Sequence, residues 1–394
     1  MKTNSWFREK ILLGQDFKDY IAGLLTPWNL IAGIILILGI YALGYRILFG
    51  FGPATNLTNE YPWGLWKTLN ILAEIPLSAP GLAIGTAVYL FKVKDYKMFA
   101  RPAVLASLLG YVFGVLTLIF DLGRYDRVLY PFVLFWGLES VLFLTAWHFF
   151  LYILICFVEW FPAFFEWVGA ERARNLFAKL GVWATALGVI ITGGHQAALG
   201  ALFLIIPTKL HPLWYSSLLP VFFLVSAVFA GIAVFIVQAT ITYKVYRNQL
   251  VDFNYKEFYR RLLSLSKILV VVLVAYLLLK LLDLAHYNKW KYLFTPYGYW
   301  YLVELIGFVV IPIITLIIGI KAKWVKWVQL SAFWVILGLI LNRFNVGLIA
   351  YRWYIPLSQK YWPTWMEVAF SLSMITWAIV VYKFIIKRMP ILKH

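Results

Sequence analysis

Charge is what this chain has least of. Only 13% of its 394 residues are Asp, Glu, Lys or Arg, and 63% are apolar. A soluble domain carries about 25% charge, so the chain reads as a polytopic membrane protein whose length counts spans. Cysteine is nearly missing. The single Cys156, inside an apolar run, excludes an intrachain disulfide, a CxxC pair and a haem-attachment CxxCH. No phosphate loop, nucleophile–base motif or zinc-ligand spacing occurs. The first 27 residues carry Asp16 and Asp19 among the bases and lack a signal-peptide apolar region and cleavage site. There is no close internal repeat, long linker or low-complexity tract. The net charge of +18 would point to nucleic acid in a soluble protein. Here most Lys and Arg lie between apolar runs, where they encode topology, so nucleic acid is not an expected partner.

Ten runs are long enough to span, at about 20 residues each. They cover 28–49, 64–91, 102–120, 134–160, 177–206, 218–243, 262–282, 300–320, 327–341 and 364–386. The ninth is short; the third and eighth look ordinary. Of the 35 Lys and Arg, 24 fall at the N-terminus, the even-numbered loops and the C-terminus, and 11 at the odd-numbered loops. Both termini are therefore expected in the cytoplasm. A segment 1–27 and a tail 387–394 would flank a membrane domain over 28–386.

Polar residues inside such runs are functional candidates, because each is costly in hydrocarbon. His195-Gln196 interrupts the fifth run, between Gly194 and Gly200, whose missing side chains let other groups approach. The segment leaves through KLHPLWY, 209–215, with an interfacial Trp-Tyr pair. Asn70 and Glu74 share one helix face four residues apart, with Glu74 about 15 Å from the outer end. Pro76 and Pro80 would kink that helix. Glu139, His148 and Glu159 on the fourth run form a candidate proton column with water-bridged gaps of about 13–17 Å. Asp121 and Arg124 close the third run as a candidate salt bridge. Arg343 is read at a membrane boundary, where it would snorkel or meet lipid phosphate. His148 and His195, placed about 21 and 16 Å from their outer ends, form a weak bis-histidine pair for haem.

These residues resemble the NrfD/PsrC family of quinone-reactive membrane subunits, nearest its ten-span, HybB-type branch. The carriers are PWGLW at 62–66, ARPAVLASLLGY at 100–111, DLGR at 121–124, SVLF at 140–143, HQAALGAL at 195–202 with KLHPLWY, and NRFNV at 342–346. The resemblance implies an all-α integral membrane fold of ten transmembrane helices. Two four-helix bundles, about 64–206 and 218–341, would carry two peripheral helices. It implies a menaquinone- or ubiquinone-type quinone held near the outer face by His195, Gln196, Trp63, Asn70, Asp121 and Arg124. Glu74, Glu139 and His148 would transfer protons. Partners would be a periplasmic, four-cluster-type, ferredoxin-like iron–sulfur subunit and a catalytic subunit of hydrogenase or sulfur/polysulfide reductase type. The site would be a bacterial or archaeal cytoplasmic membrane, among its lipids. The chain departs from the hydrogenase-type pattern at Asn70, Leu144 and Gln238, where family members usually carry acids, so either Glu74 and Glu139 substitute or proton coupling is altered or absent.

Two other readings stay open: a haem b-bearing cytochrome, and a transporter or plain anchor without quinone chemistry. Inverted repeats with broken helices would favour a transporter, and only Pro76/Pro80 offers a break. With one cysteine and one thin histidine pair, no haem and no iron–sulfur cluster are expected in this chain. Stoichiometric iron, or a Soret band, in the isolated subunit would contradict that.

Overall fold

The computed structural model describes residues 5–93, 96–250 and 253–392. The first four residues of the N-terminal segment and the last two of the tail lie outside them. Among the described residues the chain is helical, without strands; Leu210 and Tyr351 form an isolated bridge. Ten helices are long and apolar enough to span. They are α1 Pro27–Phe49, α2 Trp66–Val88, α3 Lys97–Asp121, α4 Val141–Val168, α5 Glu171–Ala201, α6 Leu219–Val245, α7 Tyr255–His286, α8 Pro296–Lys321, α9 Val325–Ile349 and α10 Trp365–Arg388. The all-helical, ten-span reading holds.

Three boundaries differ from expectation. The fourth span starts at Val141 rather than 134, because Ser140 Oγ accepts the Phe143 N–H and caps the helix there. The fifth ends at Ala201, with turns over 202–205. The ninth continues through Arg343 to Ile349. Its polar residues can stay helical because neighbouring helices satisfy them.

α2 is the most buried span and is irregular where it matters. A π-helical stretch covers Trp66–Ala73, and the Glu74 N–H reaches back five residues to the Leu69 carbonyl. The helix breaks at Ser78-Ala79 and restarts at Pro80, as the two prolines predict. Gly231 of α6 packs on the break so closely that an added Cβ would lie 2.5 Å from the Ala79 carbonyl oxygen. π-helical stretches recur at Val303–Val310 in α8 and Asn345–Ile349 in α9.

Successive helices from α2 to α5 pack on one another, and α5 returns to α2; α6 to α9 do the same, with α9 against α6. α2 touches both α6 and α9. α1 packs chiefly on α10, which lies on α3. The odd-numbered loops interlock on one face. The His211 N–H donates to the Ala350 carbonyl at 3.0 Å, Lys289 donates to the Tyr215 carbonyl at 2.7 Å, and Arg352 pairs with Glu60. On the other face, Arg388 donates to the Ile11 carbonyl and to Tyr20. An even number of spans requires this parity.

The basic residues near the odd loops are mostly tied down. Arg46 donates to the carbonyls of Phe120 and Leu122, Lys67 pairs with Asp121, and Lys289 with Asp283. Few are free to act as topology signals, which sharpens the asymmetry of the loops. Reporter fusions after Lys97 and Arg247 should read cytoplasmic, and one within 285–295 periplasmic; a single reversed result would break the alternation.

Candidate functional site

Many of the membrane-embedded polar groups lie in the half nearer the odd loops, while Glu159, Thr185 and Gln238 lie in the other half. By helical rise, His148 lies about 10 Å, His195 about 9 Å and Glu74 about 12 Å from the odd-loop ends of α4, α5 and α2. The two histidines are therefore shallower than expected and level with each other, a direct result of the shifted boundaries.

His195 is fully buried between α3, α4 and α5. Its Nε2 lies 2.6 Å from the Tyr111 hydroxyl, and Gln196 donates to the same hydroxyl at 3.3 Å. The amide donates to the phenol oxygen, and the phenol and Nε2 share one hydrogen bond whose direction follows the imidazole tautomer. Nδ1 has no hydrogen-bond partner among the described residues. Phe149 and Tyr152 enclose the ring at 5.0 and 5.8 Å between centroids. Further along α4, Cys156 is buried and Glu159 accepts from Thr185.

The His148 and His195 rings lie 6.5 Å apart, closer and better faced than the sequence implied. Gly194 allows it, since an added Cβ would lie 3.2 Å from His148 Cε1. Ligating a haem between them would cost the Tyr111 bond and would force α4 and α5 apart at Gly194.

Asn70 and Glu74 do share a face: Asn70 Nδ2 donates to Glu74 Oε2 at 2.9 Å. Glu74 faces a cleft of about 370 Å³. The walls are Leu77 and Ser78 of α2, Leu109 of α3, Gln238 of α6, and Ile379 and Tyr382 of α10. All lining residues lie in spanning helices, so the cleft belongs to the membrane-spanning part of the molecule. Gln238 donates to Tyr382 at 2.6 Å. The cleft residues of α3 and Tyr111 are about 150° apart around that helix at 100° per residue. The Glu74 cleft and the His195 cluster thus lie on opposite sides of α3.

Other expected site residues separate. Asp121 pairs with Lys67 at 2.7 Å, not with Arg124, and Lys67 reaches the Trp63 ring. Arg124 is exposed and pairs with Asp126, because Leu122 and Gly123 turn the chain out of α3. Trp63 packs on Phe203 at the end of α5. Glu139 is exposed in the loop before α4, so the column Glu139–His148–Glu159 does not exist as drawn.

Sequence reasoning missed a second buried network. Glu304, in the "ordinary" eighth span, accepts from Trp214 Nε1 at 2.7 Å, Asn342 at 2.7 Å and Asn345 at 2.5 Å. Arg343 is fully buried rather than snorkelling. It donates to Leu72, Asn342 and Ser226 and stacks 3.6 Å over Phe223. Asn342 thereby bridges the cation to the carboxylate. Removing one partner of such a network costs about 3–5 kcal/mol. Buried Lys280 lies 4.5 Å over Phe222. The available signal was an ionisable residue inside an apolar run, in Glu304 as in Glu74.

His211 locks the odd-loop face. It stacks on Tyr297 at 4.8 Å and meets Trp353 at 4.9 Å. Its Nδ1 accepts the Leu213 N–H at 3.2 Å, which requires the neutral ring. Burial pushes its pKa down to about 4 from 6.5. The unfolded or undocked loop therefore binds more protons, and the docking energy is complete above about 6.5 and lost as pH falls toward about 4. Acidification from about pH 7 to 5 should loosen these loops, read as a change in tryptophan fluorescence from Trp214 and Trp353. His211→Phe keeps the stack and should abolish that pH response.

Comparison with known proteins agrees with this architecture. The family model "Polysulphide reductase, NrfD" matches residues 53–353. A protein of Nitratidesulfovibrio vulgaris is 40% identical over 369 residues, covering 94% of this chain and 95% of its own. The "Probable Ni/Fe-hydrogenase 2 b-type cytochrome subunit" of Escherichia coli is 28% identical, covering 92% of each chain. The "Menaquinone reductase, integral membrane subunit" of Nitratidesulfovibrio vulgaris is 25% identical, covering 90% of this chain and 88% of its own. With three quarters of its length matched by the family model, and a fold of ten spanning helices, this chain is a multi-pass membrane protein of the NrfD family.

Proposed function

We propose that this chain is the quinone-reactive membrane subunit of a respiratory oxidoreductase complex, with a menaquinone-type substrate as the name of the menaquinone reductase subunit among its relatives suggests. It would pass electrons between an iron–sulfur subunit on the odd-loop face and the quinone pool. The observation that carries this reading is the apolar cleft of about 370 Å³ that ends on the Asn70–Glu74 pair. A quinone is an apolar substrate whose two carbonyl oxygens need hydrogen-bond donors. Set among the spans, the cleft offers apolar walls and one carboxyl with a carboxamide to orient it. Reduction to the quinol takes two electrons, supplied by the partner, and two protons. Glu74 in its acid form can give one of them to a carbonyl oxygen and be recharged afterwards. The division into two four-helix bundles belongs to this reading and is supported by the closed contacts of α2–α5 and of α6–α9.

A second reading places the quinone head at His195 and Gln196. The tyrosine-linked pair at the same depth favours it. The two are separable in one experiment. Glu74→Gln and His195→Gln are each assayed with quinone and with a soluble dye, on the same preparation of the complex. On the cleft reading, Glu74→Gln keeps assembly and dye activity and lowers quinone reduction by about ten- to a thousandfold, near the range of general acid catalysis. His195→Gln then lowers both activities together, through destabilisation of about 1–3 kcal/mol. A quinone-specific loss in His195→Gln alone would move the site to the α4–α5 side.

A further inference from the structure

A second cavity, of about 270 Å³, lies on the even-loop face, where α4 and α10 end. Lys10 of the N-terminal segment and Lys387 and Arg388 of α10 border it. Its one acid, Glu166, is already held by Arg101 at 2.7 Å. Arg101 also donates to the Pro390 carbonyl at 2.6 Å. Arg388 is spent on the Ile11 carbonyl and Tyr20. Lys10 and Lys387 have neither a salt bridge nor a side-chain hydrogen bond among the described residues. The remaining wall is apolar, from Trp167 to buried Leu392. The cavity therefore combines free cations with an apolar surface, at the depth where helices leave the membrane.

The neighbouring N-terminal helix points to the same phase. Phe17–Leu24 is amphipathic, with Phe17, Ile21 and Leu24 exposed and nothing of the chain covering them. Such a helix lies flat in the headgroup layer. On the positive-inside reading, this face meets the leaflet that is rich in anionic lipid.

We propose that this cavity binds the phosphate group of an anionic phospholipid, with Lys10 and Lys387 as the cations and the Trp167–Leu392 wall against the start of an acyl chain. The bound lipid would reinforce three segments that already touch: the N-terminal helices and the end of α4 through Trp6 and Trp167, the end of α4 and the tail through Arg101, and the N-terminal helices and α10 through Arg388. The shared chemistry with free inorganic phosphate is the anion; the acyl contact separates the two.

The test uses the full chain, purified in an uncharged detergent, with native mass spectrometry and thermal midpoint as readouts. Three probes are added: a short-chain phosphatidylglycerol, a phosphatidylcholine with the same chains, and inorganic phosphate. The wild type should retain one phosphatidylglycerol and be stabilised by it, and by neither other probe. Lys10→Gln/Lys387→Gln should bind it roughly 20- to 30-fold more weakly, the worth of two interfacial cations. Lys10→Arg/Lys387→Arg keeps the charge and should restore retention. Equal retention in wild type and the glutamine variant would overturn the proposal. So would equal stabilisation by phosphatidylcholine, failure of the arginine variant to bind, or stabilisation by inorganic phosphate alone, which would make the site one for a free anion.

Discussion

Every polar group inside hydrocarbon must find its partner within the protein, and this condition shapes the whole molecule. The carboxylate of Glu304 collects three N–H donors from two other segments, the loop after α5 and α9. Arg343 spends its donors on a carbonyl of α2, an amide and a serine of α6. Neither group could sit where it does without the other helices already in place. The π-helical stretches follow in part from the same demand. Three of them contain a buried polar residue, Asn70, Glu304 or Asn345, and Glu304 and Asn345 bond across helices there; the described side chains of the fourth, Thr86–Leu90 in α2, include no such group.

The ten spans were legible because a span needs only length and apolar composition, both local properties. Their ends were less so. Glu139 was assigned to a helix because residues 134–138 are apolar, but an apolar loop at a membrane surface looks the same until Ser140 caps the helix after it. The depths of His148 and His195 inherited that error and the matching one at Ala201. Asn70–Glu74 was legible, since a spacing of four is a local fact and the pair is bonded. The partners of Asp121 and Arg343 were not. Lys67, Ser226 and Leu72 are remote in sequence, and no periodicity reports which helix faces which. Tyr111 lay inside a stretch that carried the family resemblance, yet only its contact with His195 gives it a role.

α2 has a position that its sequence alone does not disclose. It touches both sets of helices, its break is gripped by Gly231 of α6, and its Leu72 carbonyl is held by Arg343 of α9. A change at Glu74 is thus mechanically linked to the Glu304 network through one irregular helix. The two polar systems are separate as hydrogen-bond networks but share a backbone.

The pairing of α1 with α10 bears on how the molecule is made. The contact between Arg388 and the Ile11 carbonyl joins residues 377 apart. During synthesis α1 enters the bilayer first; Arg46 at its odd-loop end can reach the end of α3, but its main packing partner is the last span to arrive. In lipid this waiting is cheap, because acyl chains are as apolar as the side chains they touch. The final helix therefore acts as a latch for the first. A chain truncated before Trp365 would leave α1 loosely held in the membrane while the spans between them had already assembled, a state that quality-control proteases could recognise by its loose first helix.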